Sequence, residues 1–174
     1  MATKKQQAKT QLIPPNIAIP DANRKVITDT LQAILADAHL LTMKSRKFHW
    51  NVQGPRFHML HELFQEQYTL IEGAIDEIAE RIQMLGFMAN GTLAEMLKNT
   101  QLKEQPGVNP PAQQMVAELL ADHETIIRAL REAADLAEEK EDMGTNDFLI
   151  GLMQAHEKMA WMLRATCNEF EEKA

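Results

Sequence analysis

The chain has little of what a secreted, membrane-spanning or β-rich protein requires. Its single cysteine, Cys167, rules out an intrachain disulfide, which fits a reducing cytoplasm. No apolar run approaches the ~20 residues needed to cross a bilayer. The basic start, Met1-Ala-Thr-Lys-Lys, is followed by no hydrophobic stretch of the secretory kind. No segment alternates apolar and polar side chains as a half-buried strand would, and no internal repeat is evident. Positive charge is also scarce: the formal net charge is −7 over 174 residues. Lys4, Lys5 and Lys9 place +3 on the first fifteen residues, so the remainder carries −10. An acidic body offers phosphates no general binding surface, but it attracts cations.

What is present is helical periodicity. A first helix is expected from about 23 to 50, with Val26, Ile27, Leu31, Ile34, Leu35, Ala38 and Leu41 on one stripe. Gly54 and Pro55 break it. Phe57, Leu60, Phe64, Ile71, Ile75, Ile78, Ile82 and Leu85 mark a second helix, with Tyr68 filling the stripe between Phe64 and Ile71 and Gly86 closing it. The connection 87–109 is long for a helix–helix link, and 92–97 within it reads as a short crossing helix. Pro110-Pro111 opens a third helix carrying Met115, Val116, Leu119, Ile126, Ile127 and Leu130. The acidic stretch 138–142 and Gly144 form a turn. A fourth helix is expected to start near Thr145 or Asn146 as N-cap and to carry Phe148, Leu152, Met159, Leu163 and Phe170. The expected fold class is all-α: a basic tail at 1–15, then one four-helix-bundle domain at 16–174. Among such bundles, one long crossover between the second and third helices is the ferritin-like arrangement.

Imidazoles and carboxylates suit iron, the carboxylates favouring the ferric product, and His49, His61, Asp76 and Glu80 are the candidates. At ~100° per residue, Gln65, Asp76 and Glu80 lie within about 100° of His61 on one side of the second helix. Yet His61 and Asp76 are roughly 22 Å apart along the axis at ~1.5 Å per residue, so one helix cannot hold one ion with both. Either these are unrelated surface groups with ordinary i, i+4 partners, or two chains pack antiparallel about a two-fold axis and bring His61 of one beside Asp76 and Glu80 of the other. Di-iron bundles with a site inside one subunit use Glu-x-x-His pairs. None of the six histidines has Glu three positions before it, which favours the shared site.

The text Phe48-His49-Trp50-Asn51-Val-Gln-Gly54-Pro55-Arg-Phe57-His-Met-Leu60-His61-Glu62-Leu-Phe64, followed by Asp76-Glu77-Ile-Ala79-Glu80-Arg81-Ile82, resembles the signature of the Dps family, the mini-ferritins. The resemblance implies a hollow dodecameric cage that oxidises Fe(II), preferably with hydrogen peroxide, and stores the ferric mineral, protecting cell and DNA from oxidative damage. It implies di-iron sites at two-fold interfaces, with His49 and His61 from one subunit and Asp76 and Glu80 from its partner as metal ligands and catalytic residues. Zinc or another divalent ion can substitute there. One position departs: Gln65 stands where the family usually has a carboxylate, and a neutral amide is a weaker ligand for a hard cation. The resemblance also implies acidic threefold pores, to which Asp142 or Asp147 could contribute. It allows DNA binding through Lys4, Lys5 and Lys9, many weak contacts acting together on one particle. The alternative function is therefore a nucleoid-compacting, DNA-binding protein with weak or no ferroxidase activity. The expected setting is cytoplasmic or nucleoid-associated, with no membrane partner.

Other residues have plainer readings. Trp50, beside a ligand, reads as an interface aromatic before it reads as a quencher of stray oxidants. His39, His123 and His156 read as satisfied core or surface histidines, His58 as a surface group, and Cys167 as an inert buried thiol.

Overall fold

The computed structural model describes residues 12–171, with side chains to Cys167. Five helices follow in order: α1 (Asp21–Asn51), α2 (Phe57–Met84), α3 (Leu93–Asn99), α4 (Ala112–Glu139) and α5 (Met143–Glu171). Among the described residues there is no strand, and no helix is long and apolar enough to cross a membrane. α1 packs along α2 and α4 along α5, and the two hairpins meet mainly through α1 and α4. The predicted stripes form the core: Leu31, Leu41, Leu60, Phe64, Ile82, Val116, Leu119, Leu130 and Leu163 are wholly enclosed. Each such side chain contributes about 1.5–3 kcal/mol relative to exposure. Val26 and Phe57 depart from their expected places in the stripes and are exposed. Cys167 is only half-buried, against the core rim.

Buried polar anchors hold the parts that periodicity does not specify. The Arg24 guanidinium is 3 % exposed and donates to the carbonyls of Ile19 at 3.1 Å and Leu85 at 2.6 Å, tying the chain before α1 to the end of α2. Gly86 closes α2 at φ +87°, where any Cβ would strike Pro15 and the Arg24 side chain. Only glycine fits there. α3 opens with a capping box between Thr92 and Glu95. The crossover is pinned to α1 by Asp37, a buried carboxylate that accepts from the Thr100 hydroxyl (2.6 Å) and from the Gln101 amide and side chain (2.8 Å each).

The start of α5 differs from the sequence expectation. Asp142, not Thr145 or Asn146, is the cap. Its carboxylate accepts from the Thr145 amide at 2.9 Å and from the Thr145 hydroxyl, so the helix begins at Met143. Arg81 at the end of α2 donates to Asp142 at 2.8 Å and to the Thr145 hydroxyl at 2.9 Å. Asp142 is 2 % exposed and therefore lines no pore; Asp147 is exposed.

Candidate metal centre

Val52, Gly54 and Pro55 reverse the chain between α1 and α2. Val52 is buried and donates its amide to the Phe48 carbonyl at 2.8 Å, while Gly54 takes φ +107°. This tight return sets the last turn of α1 against the first turns of α2, and with it His49 against His61. The two rings stack, with centroids 3.7 Å apart and planes 19° apart. His49 Nδ1 lies 2.7 Å from the His61 carbonyl oxygen, and His61 Nδ1 lies 2.9 Å from the His49 carbonyl oxygen. A carbonyl oxygen can only accept, so both Nδ1 atoms carry the proton. The Nε2 atom of each neutral ring is then the basic one, which is the tautomer a metal ligand needs. Phe57 flanks the His61 ring at 5.1 Å and Tyr68 meets the His49 ring edge-on at 5.4 Å.

Tyr68 is thus more than filler in the α2 stripe. It is half-buried, and the Arg46 guanidinium lies 4.9 Å from its ring centre and binds Glu72 at 2.6 Å. Spacing could have found it. Tyr68 follows His61 by seven residues, two helical turns, and so returns to almost the same side of α2. Trp50 is 65 % exposed in the single chain.

Gln65, Asp76 and Glu80 are exposed along α2. Gln65 lies one turn beyond His61. Asp76 and Glu80 lie one turn apart near the helix's other end. The chain thus brings His49 and His61 together but leaves both carboxylates far from them. Among the described residues, no group of three or more His, Cys, Asp or Glu side chains is placed to hold a metal ion. The residues form two clusters: two imidazoles held together where α1 turns into α2, and two exposed acids near the far end of α2. Apolar side chains are also exposed on α2 and beyond it, among them Leu70, Met84, Met88, Leu93 and Leu97.

The comparisons agree with this architecture. The ferritin-like domain family matches residues 28–172. A low temperature-induced protein of Nostoc sp., itself described as uncharacterised, is 45 % identical over 151 residues, covering 86 % of this chain and 84 % of the relative. DNA protection during starvation protein 2 of Bacillus anthracis is 38 % identical, covering 84 % of this chain and 99 % of that protein. The crystal structure of a Dps protein from Vibrio cholerae O1, described as a member of a broad superfamily of ferritin-like diiron-carboxylate proteins, superposes with a TM-score of 0.83. It is 29 % identical and spans 90 % of this chain and 98 % of that one. The chain belongs to the ferritin-like family, among the Dps proteins.

Proposed function

We propose that this protein is a ferroxidase and iron store that joins its half-sites across two-fold interfaces. The observation that carries the reading is the reciprocal hydrogen bonding of His49 and His61, which fixes two neighbouring imidazoles with Nε2 as the ligand atom. An antiparallel pairing of two α2 helices places Asp76 and Glu80 of one subunit beside these imidazoles of the other, and does so twice per dimer. The exposed apolar side chains of α2 and the adjoining segment support burial against a second copy. Six such dimers close the dodecameric cage.

Fe(II) is the substrate, two ions per site. Glu80 and Asp76 hold the ferrous ions and gain affinity as each becomes ferric, since hard cations favour carboxylate oxygen. The imidazoles contribute nitrogen donors through Nε2. Hydrogen peroxide accepts one electron from each of two Fe(II) ions and, taking two protons from solvent, leaves as two waters, with no hydroxyl radical freed. Zinc would compete at the same imidazoles. The setting proposed is the cytoplasm, with residues 1–15 a basic tail on a single bundle domain. Lys4, Lys5 and Lys9 lie outside the described residues, and the acidic body offers DNA no general surface, so ferroxidase chemistry is the better supported function.

Stopped-flow mixing of anaerobic Fe(II)-loaded protein with peroxide tests this. Two Fe(II) oxidised per peroxide, faster than with dioxygen, is the expected result. A ratio of one, or oxidation no faster than in buffer, excludes the paired site. Gln65→Glu supplies the missing carboxylate beside His61. It is expected to tighten the weaker Fe(II) position by about tenfold or more in anaerobic titration, since ligand-sphere changes of this kind shift metal affinity by roughly 10–100-fold. Unchanged affinity would place residue 65 outside the site.

A further inference from the structure

Midway along the bundle, each long helix turns a polar side chain inward. Ser45 and Thr42 come from α1, Gln67 from α2, His123 from α4 and His156 from α5, and all are at least nine-tenths buried. Contacts put them at one level. The Lys44–Asp122 ion pair aligns α1 with α4, the His pair aligns α4 with α5, and Gln67 Nε2 donating to the Met159 carbonyl at 3.3 Å aligns α2 with α5. His123 Nδ1 and His156 Nδ1 are 2.9 Å apart, so one donates and the other accepts. The Oγ1 of Thr42, Oγ of Ser45, Oε1 of Gln67 and Nε2 of His123 have no hydrogen-bond partner. His156 has an outlet: it lines the groove between α2 and α5, together with Gly73, Gly151 and Ala155.

A resident divalent cation does not suit this layer. Its donors are neutral, and a buried +2 charge without a carboxylate is strongly disfavoured. A proton is the cation that the groove can deliver.

We infer that the His123–His156 pair is an acid-operated latch, tying α4 to α5 in the core while neutral and forcing the bundle apart when protonated. Protonating the accepting nitrogen sets two N–H groups against each other at hydrogen-bond distance. Protonation elsewhere on the pair leaves a charge that nothing in the layer balances. On α1 and α4, Lys44 and Asp122 neutralise one another, and Asp37 is engaged by the crossover. Glu124 on α4 pairs with Arg164, and Glu157 on α5 pairs with Arg131. Lys158 on α5 is exposed, and His39 on α1 is half-buried. Glu77 on α2 and Asp147 on α5 line the groove but are exposed.

Burial holds both imidazoles below their ordinary range, His156 at about 4, and the facing ring depresses His123 further. The unfolded chain binds these protons near pH 6.5 and the folded chain does not. Stability is therefore full above about pH 6.5 and is lost as pH falls toward about 4.

Urea unfolding of the full chain from pH 7.5 to 4.5 is the test, on the wild type and on His123→Gln/His156→Gln. The pair predicts that the variant takes up about two fewer protons per chain on unfolding at pH 5.5 and keeps its near-UV signal to a pH about one unit lower. Identical slopes and midpoints would overturn the latch. If the variant does not fold, proton uptake by the wild type on unfolding at pH 5.5 decides. About 1.5 protons or more per chain, more than His39 alone can take up, supports the latch, and fewer overturns it.

Discussion

Replacing Asp76 and Glu80 together with alanine is expected to cut peroxide-driven Fe(II) oxidation by about a hundredfold or more, the upper range for weakened metal spheres, while leaving folding and assembly intact. The expectation combines two facts of position. Both side chains are exposed on α2, and neither forms an ion pair or side-chain hydrogen bond among the described residues. Surface changes of this type usually stay within about 0.5 kcal/mol. Alanine is also the better helix former. In the proposed dimer, however, these are the carboxylates offered to the partner's imidazoles, and residue 65 beside His61 is an amide that cannot replace them. Removing them leaves two neutral rings, which bind ferrous ion weakly and do not favour the ferric product. Stopped-flow absorbance measures the rate and light scattering the assembly. Wild-type rates in an intact oligomer would remove Asp76 and Glu80 from the chemistry. Loss of the oligomer would instead give them a role in the interface.

The second large effect is on stability. Asp142→Ala should destabilise the subunit by about 3–5 kcal/mol, the usual loss when one partner of a buried ion pair is deleted. Three bonds are lost at once, from the Thr145 amide, the Thr145 hydroxyl and the Arg81 guanidinium, and Arg81 keeps its bond to the Thr145 hydroxyl. At roughly 2–4 °C per kcal/mol for a chain of this size, melting should fall by about 10 °C. Asp142→Asn separates the causes. Asparagine caps helices about as well as aspartate, so its smaller loss isolates the charge of Arg81. Differential scanning calorimetry at pH 7 decides, and two variants that melt like the wild type would show that the α2–α5 anchor contributes nothing.

The four long helices were legible because each buries a stripe with a 3.6-residue period, and that period is written locally. The proposed metal site was legible by halves. His49, His61, Asp76 and Glu80 fall at recognisable spacings, and the ~22 Å rise between His61 and Asp76 excludes a site on one helix from arithmetic alone. The cap of α5 was misplaced because Asp142, Thr145 and Asn146 are all competent caps within five residues. Only the position of Arg81 from α2 selects among them. Asp37 sits inside an apolar stripe, and its partners Thr100 and Gln101 lie more than sixty residues away. The sequence expectation of satisfied core histidines held for the burial of His123 and His156 and for the bond between them, but not for His123 Nε2, which has no partner among the described residues. Distant pairings of this kind depend on register between helices, which no single helix's pattern encodes.

The crossed bonds between His49 and His61 orient the two proposed ligands through each other's backbone. Each ring is aimed by a carbonyl belonging to the other ligand's residue, so disturbing the backbone at either position misdirects both donors. A substitution that removes one imidazole leaves its carbonyl, and with it the aim of the other ring, in place. What couples the two donors is the backbone of the chain reversal, so a change at Gly54 or Pro55 reaches both at once.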